Sequence, residues 1–352
     1  MTENDYSKVE REKFQPMKIA INGFGRIGRT AFKVALDKFV DDIEVVGIND
    51  LMEPSTLAHL LKYDSVYGTY YRQISFDEKN LIIDGKNFPI SAEKDPGLLP
   101  WKDLQVDVVI ESTGRFTKAE LAQGHITAGA KRVVISAPSK DASTFVLGVN
   151  KYDGQTQIIN NASCTTNCVA PVTAVVQEKF GIVKGMMTTI HAYTAEQDLV
   201  DGPPPPMHKD LRRARAAAVN IVPTTTGAAI STTEVVTELK GLFDGMALRV
   251  PVPCGSISDF CFLIKKKTTV EEVNQAFKEV AQDPNYRGIL AVSEDPIVSS
   301  DIIGRSESAI VDLPFTKVVD GDLVKILAWY DNEWGYANRL VEQVIEVGKS
   351  LS

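Results

Sequence analysis

Cys164 stands in the run Asn160-Asn161-Ala162-Ser163-Cys164-Thr165-Thr166-Asn167, just ahead of a segment whose spacing predicts a helix over 165–179. A thiol at a helix N-terminus meets the partial positive charge of unpaired amide groups, which favours thiolate and depresses the thiol pKa. Cys168, one turn further on, reads as packed and inert. The pair has metal-ligand types but no second ligand pair near it, so no metal site is expected. His191, one of four histidines, ends the apolar run Met187-Thr188-Thr189-Ile190-His191-Ala192 in the same half of the chain. A cysteine–histidine couple activates a nucleophile and shuttles its proton. Taken alone, Cys164 equally suits the role of a small buried apolar side chain, and spacing by itself does not bring it to His191.

A second chemical signal lies near the start. Gly23, Gly25 and Gly28 sit between an apolar strand at 18–22 and an amphipathic helix running from Arg29 to about Val40. In that context the first glycine permits a tight turn, the second lets backbone approach a pyrophosphate, and the third lets helix pack on strand. The helix amides then face the anion. Asp50 follows the next strand, 22 residues after Gly28. A carboxylate there accepts hydrogen bonds from ribose hydroxyls and repels a 2′-phosphate, which favours NAD over NADP. The competing reading is that the glycines only turn the chain and Asp50 caps a helix.

Thr194, the run Thr224-Thr225-Thr226-Gly227 and Arg249 sketch an anion subsite. An arginine inside the apolar stretch Leu248-Arg249-Val250 is costly unless it is paired or meets a ligand. Phosphate suits it; so does an ion pair with a carboxylate such as Asp259. The basic runs 212–215 and 265–267 read as solvated or subunit-facing surface rather than a nucleic-acid track.

These residues need a scaffold. A chain of 352 residues suggests two domains. Short β-branched runs at 43–48, 106–111 and 132–136 alternate with helical patterns at 57–62 and 119–128, the signature of a doubly wound, mostly parallel sheet. Beyond Cys164 the texture becomes α+β, with strands at 186–192, 247–252, 257–265 and 324–329. Phe260, Phe262 and Ile264 alternate with Asp259, Cys261 and Leu263, as a sheet with one covered face requires. A helix at 333–349 carries an apolar stripe of Leu340, Val341, Val344, Ile345 and Val347. Between Tyr193 and Ala216 runs an irregular stretch with four consecutive prolines, Pro203 to Pro206. The expected organisation is a flexible tail at 1–16, a dinucleotide-binding domain at 17–163 plus 331–352, and a catalytic domain with a largely antiparallel sheet at 164–330.

A net charge of −8 repels polyanions, so no primary nucleic-acid partner is expected. Four unevenly spaced cysteines point to a reducing compartment rather than a disulfide framework. The N-terminal tail lacks the apolar segment of a signal peptide, and no stretch has the length of a membrane span.

With these pieces in order, the chain from Lys18 to Lys349 resembles the glyceraldehyde-3-phosphate dehydrogenase family. The resemblance rests on Ile21-Asn22-Gly23-Phe24-Gly25-Arg26-Ile27-Gly28-Arg29, Ala162-Ser163-Cys164-Thr165-Thr166-Asn167, Asp210-Leu211-Arg212-Arg213-Ala214-Arg215 and Trp329-Tyr330-Asp331-Asn332-Glu333-Trp334-Gly335-Tyr336, in family order. It implies a Rossmann-type fold, with NAD held by Gly23, Gly25, Arg26, Ile27, Gly28, Asp50, Asn332 and Tyr336. Asn332 would hold the nicotinamide carboxamide. It implies Cys164 as nucleophile and His191 as base. Thr194 and Arg249 match the subsite for the phosphate of glyceraldehyde 3-phosphate, and Ser163, Thr165, Thr226 and Gly227 that for attacking inorganic phosphate. It further implies a cytoplasmic homotetramer in which the 193–216 loop packs beside a neighbour's cofactor. The sequence departs from the family pattern at Glu196, where Asp is frequent, at Ile230, where Lys is common, and at Met207 in a lengthened proline loop, which bears on NAD versus NADP choice. Erythrose-4-phosphate dehydrogenase shares the scaffold, and a non-catalytic dinucleotide- or RNA-binding module is the alternative of another class.

Overall fold

The computed structural model describes residues 16–204 and 210–351. Most of the N-terminal tail, and Pro205, Pro206, Met207, His208 and Lys209 of the proline loop, lie outside the described residues.

Strand β1 (Met17–Asn22) is apolar because both of its faces are covered, and it pairs in parallel with β2 (Ile43–Asn49) on one side and with β3 (Val108–Glu111) on the other. Helix α1 (Arg26–Lys38) connects β1 to β2 as the crossover that parallel pairing demands. The sheet extends through Arg132–Ile135 and Ile158–Asn160, also parallel, and ends on the far side in an antiparallel flap over residues 74–91. In this nine-stranded sheet the chain leaves β1 toward opposite sides, which opens a crevice at the carboxyl ends of β1 and β3. Ile19, Ile21, Phe32 and Val341 are fully buried in its core.

The second sheet has helix α2 (Cys164–Phe180) packed on it. Its centre runs β5 (Phe243–Val250), β4 (Ile182–Ala192), β6 (Ser256–Ile264) and β7 (Leu323–Tyr330) in that spatial order. Three of its pairings at residues 182–192, 256–264, 309–312 and 323–330 are antiparallel, whereas β4 and β5 run parallel. The alternation along β6 is realised, with every second residue from Ser256 to Ile264 buried. Helix α3 (Trp334–Lys349) then returns the chain to the first sheet, packing against α1. Some strands extend beyond the spans read from periodicity, as at 182–192 against 186–192, while others are shorter, as at 108–111 against 106–111, because strand ends are set by ladder bonds rather than by their own apolar character.

Candidate active site

Residues 160–164 deliver the nucleophile. Ala162 adopts the left-handed backbone conformation, φ +54°, uncommon for a residue with a Cβ. Its N–H donates to Asn160 Oδ1 at 2.9 Å, and its carbonyl accepts from Tyr336 Oη at 3.0 Å, so the turn is clamped from both ends. Ser163 caps α2, its Oγ accepting from the Thr166 amide at 3.0 Å. Cys164 is therefore the first residue of the helix, half-buried and facing the cleft.

His191 is the penultimate residue of β4, and its Nε2 lies 3.4 Å from Cys164 Sγ. Its Nδ1 lies between the Ala192 carbonyl oxygen at 2.6 Å, which can only accept, and Arg249 Nη1 at 2.9 Å, which can only donate; with the proton on Nδ1, the tautomer the shorter contact favours, Nε2 is the acceptor toward the thiol. The Tyr330 ring packs edge-on against the imidazole, with centroids 6.0 Å apart. The Tyr330 hydroxyl sits 3.0 Å from Thr165 Oγ1 and 2.7 Å from Thr189 Oγ1. Three elements thus hold the ring in one orientation.

The expected depression of the thiol pKa is not what the structure gives. Burial pushes the Cys164 thiol up to about 11, against the opposing pull of the Arg249 charge and of hydrogen bonds from Thr165. Burial, helped by Arg249, takes His191 down to about 3. Withdrawal of water outweighs the helix terminus. Burial therefore favours the neutral form of both groups in the ligand-free cleft. Cys168 is fully buried, as its position on the inner helix side implies.

Arg249, near the end of β5, is brought beside this pair. Its Nη1 donates to the Ala192 carbonyl at 3.0 Å and to Thr194 Oγ1 at 3.3 Å, and its Nη2 to Glu196 Oε1 at 3.0 Å. Glu196 also receives the Arg213 guanidinium, which donates from Nε to Thr224 Oγ1 at 2.9 Å. The carboxylate considered for Arg249, Asp259, is taken instead by Lys325 at 2.6 Å. Arg249 Nε is buried with no acceptor. A buried cation with a donor unused is a setting that fits an anion.

The remaining phosphate candidates are less convergent. Ser163 Oγ is engaged in the helix cap, and Thr165 is buried against Tyr330. Thr226 and Gly227 begin the helix Ala228–Val235, where Thr226 Oγ1 accepts from the Ala228 amide at 3.2 Å. That helix packs against α2, yet among the described residues no hydrogen bond joins Ser163 or Thr165 to Thr226 or Gly227.

The glycine loop forms the other half. Gly23 has φ +92°, and a Cβ on it would lie 2.6 Å from the Thr113 amide nitrogen. A Cβ on Gly28 would lie 2.1 Å from the Gly23 carbonyl oxygen, whereas one on Gly25 would meet nothing within 4 Å. Gly25 occupies the N-cap of α1 with no side-chain cap, leaving the first helical amides to an outside acceptor. This open cradle fits a dinucleotide pyrophosphate. Gly25 and Asp50 line one hollow of about 240 Å³. Asp50 Oδ2 also accepts from the Phe24 amide at 2.7 Å, which ties the second strand to the loop.

A cleft of about 610 Å³ joins the two halves, lined by Arg26, Ile27, Thr113, Cys164, His191 and Asn332 among others. Arg26 pairs with Asp64 at 2.9 Å and with Glu333. Asn332 Oδ1 accepts from Ser256 Oγ at 2.9 Å. Tyr336, expected at the cofactor, is buried, with its hydroxyl beneath the Cys164 turn. A roomier hollow between Met186, Ile230, Leu242 and Leu323 lies away from this chemistry and is apolar.

Sequence reasoning passed over Ser256, the Tyr330 hydroxyl, and the buried chain in which Trp101 Nε1 donates to His125 Nδ1 at 2.9 Å and His125 Nε2 donates to Glu111 Oε2 at 3.0 Å. Nothing in their local spacing marks them, because their partners are far away in sequence. Among the described residues, no group of three or more His, Cys, Asp or Glu side chains is arranged to hold a metal ion, and no helix is long and apolar enough to cross a membrane.

Comparison with known proteins accounts for both halves. Residues 17–119 match the NAD binding domain of glyceraldehyde 3-phosphate dehydrogenase, and residues 163–332 match its C-terminal domain. The chain belongs to the glyceraldehyde-3-phosphate dehydrogenase family. It is 53% identical over 339 residues to the glyceraldehyde-3-phosphate dehydrogenase of Streptomyces coelicolor, spanning 95% of this chain and 99% of that one. It is 54% identical over 343 residues to that of Mycobacterium avium and 53% over 343 residues to that of Mycobacterium tuberculosis, with the same shares covered. The family model and the open cradle at Gly25 agree on NAD as cofactor.

Proposed function

We propose that this protein oxidises glyceraldehyde 3-phosphate with NAD⁺ and inorganic phosphate to give 1,3-bisphosphoglycerate. The observation that carries the reading is the 3.4 Å approach of Cys164 Sγ to His191 Nε2, in a cleft shared with the glycine loop and next to the buried Arg249.

When bound, the dinucleotide supplies a hydride acceptor; every other role falls to the chain. Cys164 sulfur attacks the aldehyde carbon while its proton passes to His191 Nε2, so a neutral pair generates the nucleophile only as the C–S bond forms. Arg249 and Thr194 hold the substrate phosphate. Oxidation of the hemithioacetal leaves a thioester on Cys164, and its sulfur departs as phosphate oxygen attacks the acyl carbon, which keeps as acyl phosphate the energy that hydrolysis would release. Ser163, Thr165, Thr226 and Gly227 belong to the surroundings of that second phosphate. Gly23, Gly25, Arg26, Ile27 and Asp50 bind the dinucleotide, Gly28 packs the loop, and Asn332 receives the nicotinamide carboxamide.

Residues 17–163 with 331–352 act as the dinucleotide-binding domain and 164–330 as the catalytic domain, each with its own core. A homotetramer is the proposed assembly, supported by the exposed apolar side chains of Met186 and Ile230 on one face, of Leu199 and Val200 on the loop, and of Val219 just after it. A cytoplasmic location accords with the four free cysteines. The deciding measurement is steady-state turnover of glyceraldehyde 3-phosphate and erythrose 4-phosphate, with NAD⁺ or NADP⁺, with and without phosphate. A preference for erythrose 4-phosphate, or turnover indifferent to phosphate, would replace the proposal.

A further inference from the structure

We infer that Ser256 is a positioning residue: its hydroxyl fixes which end of the Asn332 amide faces the nicotinamide, and ties that amide to the strand end carrying His191. The inference rests on the reading of Asn332 as the carboxamide contact.

Ser256 opens β6, the strand lying between β4 and β7, so one side chain there can reach the ends of both neighbours. The residue is fully buried. Its Oγ accepts from the Ala192 amide at 3.1 Å and stands 2.9 Å from Asn332 Oδ1. The asparagine atom it meets is the carbonyl oxygen, which can only accept, so the hydroxyl proton is donated to Asn332 while the serine oxygen takes the Ala192 N–H. Nδ2 is then the end left for the cleft. Among the described residues Asn332 Nδ2 has no protein acceptor, and Asn332 lines the same cleft as Cys164 and His191. An amide group has two nearly isosteric ends, and without a fixed donor behind it either would face the ligand. With Ser256 in place Asn332 offers a donor, matched to a carbonyl oxygen on the nicotinamide.

Asp331 steadies the same turn from the other side. Its Oδ1 accepts from the Glu333 amide at 2.9 Å and the Trp334 amide at 2.7 Å, and its Oδ2 from the Gly304 amide at 2.8 Å. Backbone position is thus set by Asp331, while amide orientation is set by Ser256. Ala192 is also the residue whose carbonyl holds His191 Nδ1. Through one residue, Ala192, and one hydroxyl, the base and the nicotinamide contact share a support.

The test compares binding of NAD⁺ with binding of ADP-ribose, which lacks the nicotinamide, by calorimetric titration of the full-length protein. The variants are Ser256→Ala, the near-isosteric Ser256→Cys, Asn332→Ala and the Ser256→Ala/Asn332→Ala double variant, each with its melting temperature. Loss of one oriented hydrogen bond predicts NAD⁺ affinity about ten-fold lower in Ser256→Ala, with ADP-ribose affinity unchanged. Ser256→Cys, a weak donor, should fall between wild type and alanine. The double variant should bind NAD⁺ no more weakly than Asn332→Ala, since both changes act through one contact. The inference is overturned if Ser256→Ala binds NAD⁺ as wild type does, if both ligands weaken together, or if the two changes add. Unchanged NAD⁺ affinity in Asn332→Ala would instead remove the carboxamide contact itself, a result separable from the behaviour of Ser256.

Discussion

Two glycines three residues apart should fail in opposite ways when each gains a methyl group. At Gly25 the backbone is extended, φ −71° and ψ −162°, which alanine adopts freely, and the new Cβ meets nothing within 4 Å. Losing glycine at an N-cap costs a few tenths to about 1 kcal/mol, and the stiffer unfolded chain returns about 0.4–1 kcal/mol. Gly25→Ala should therefore leave the melting temperature within about 2 °C of wild type. At Gly28 the Cβ would sit 2.1 Å from the Gly23 carbonyl oxygen. The loop cannot retreat, because Gly23 is itself packed against the Thr113 backbone. Such overpacking costs roughly 1–3 kcal/mol, a fall of roughly 2–12 °C in melting temperature for a chain with domains of this size. Ligand affinity should divide the other way. The Gly25 methyl enters the space through which backbone approaches the pyrophosphate. A cost of about 2 kcal/mol there weakens NAD⁺ binding about thirty-fold. Melting curves and NAD⁺ titrations on both variants decide the matter. A Gly25→Ala protein that melts early yet binds NAD⁺ normally would refute the division of labour between packing and ligand approach.

Other outcomes follow from the same geometry. Cys164→Ala should abolish acyl transfer while NAD⁺ affinity stays within about two-fold of wild type, since the sulfur lies outside the glycine loop; lost cofactor affinity with retained turnover would contradict it. Arg249→Leu should lower the kcat/KM ratio of glyceraldehyde 3-phosphate to unphosphorylated glyceraldehyde by about 100-fold or more. The same change should move the pH profile of Cys164 alkylation upward, because Arg249 pulls the thiol pKa down and its removal lets burial act unopposed; a profile moving to lower pH would reverse that sign. Asp50→Asn keeps an acceptor for the Phe24 amide but removes the charge, so discrimination against NADP⁺ should narrow about ten-fold. An unchanged ratio of NAD⁺ to NADP⁺ efficiencies would place cofactor choice elsewhere.

Local chemistry decided much of this protein before any folding was considered. The glycine spacing between an apolar strand and an amphipathic run, the cysteine at a helix start, and the alternation along residues 256–264 are each properties of a few neighbouring residues, and steric and solvation rules act on them directly. Three things waited for the tertiary structure. The distance from Cys164 to His191 depends on how β4 folds back under the start of α2, since the two side chains sit at opposite ends of this consecutive helix and strand. The balance at that pair between burial and the charges around it is a second, because desolvation sums over every element that closes the cleft and no local pattern reports it. The hold of the Tyr336 hydroxyl on the Cys164 turn, and the place of Ser256 between two strand ends, waited for one reason. A hydroxyl's role is set by whichever distant donors and acceptors the packed sheets bring within about 3 Å.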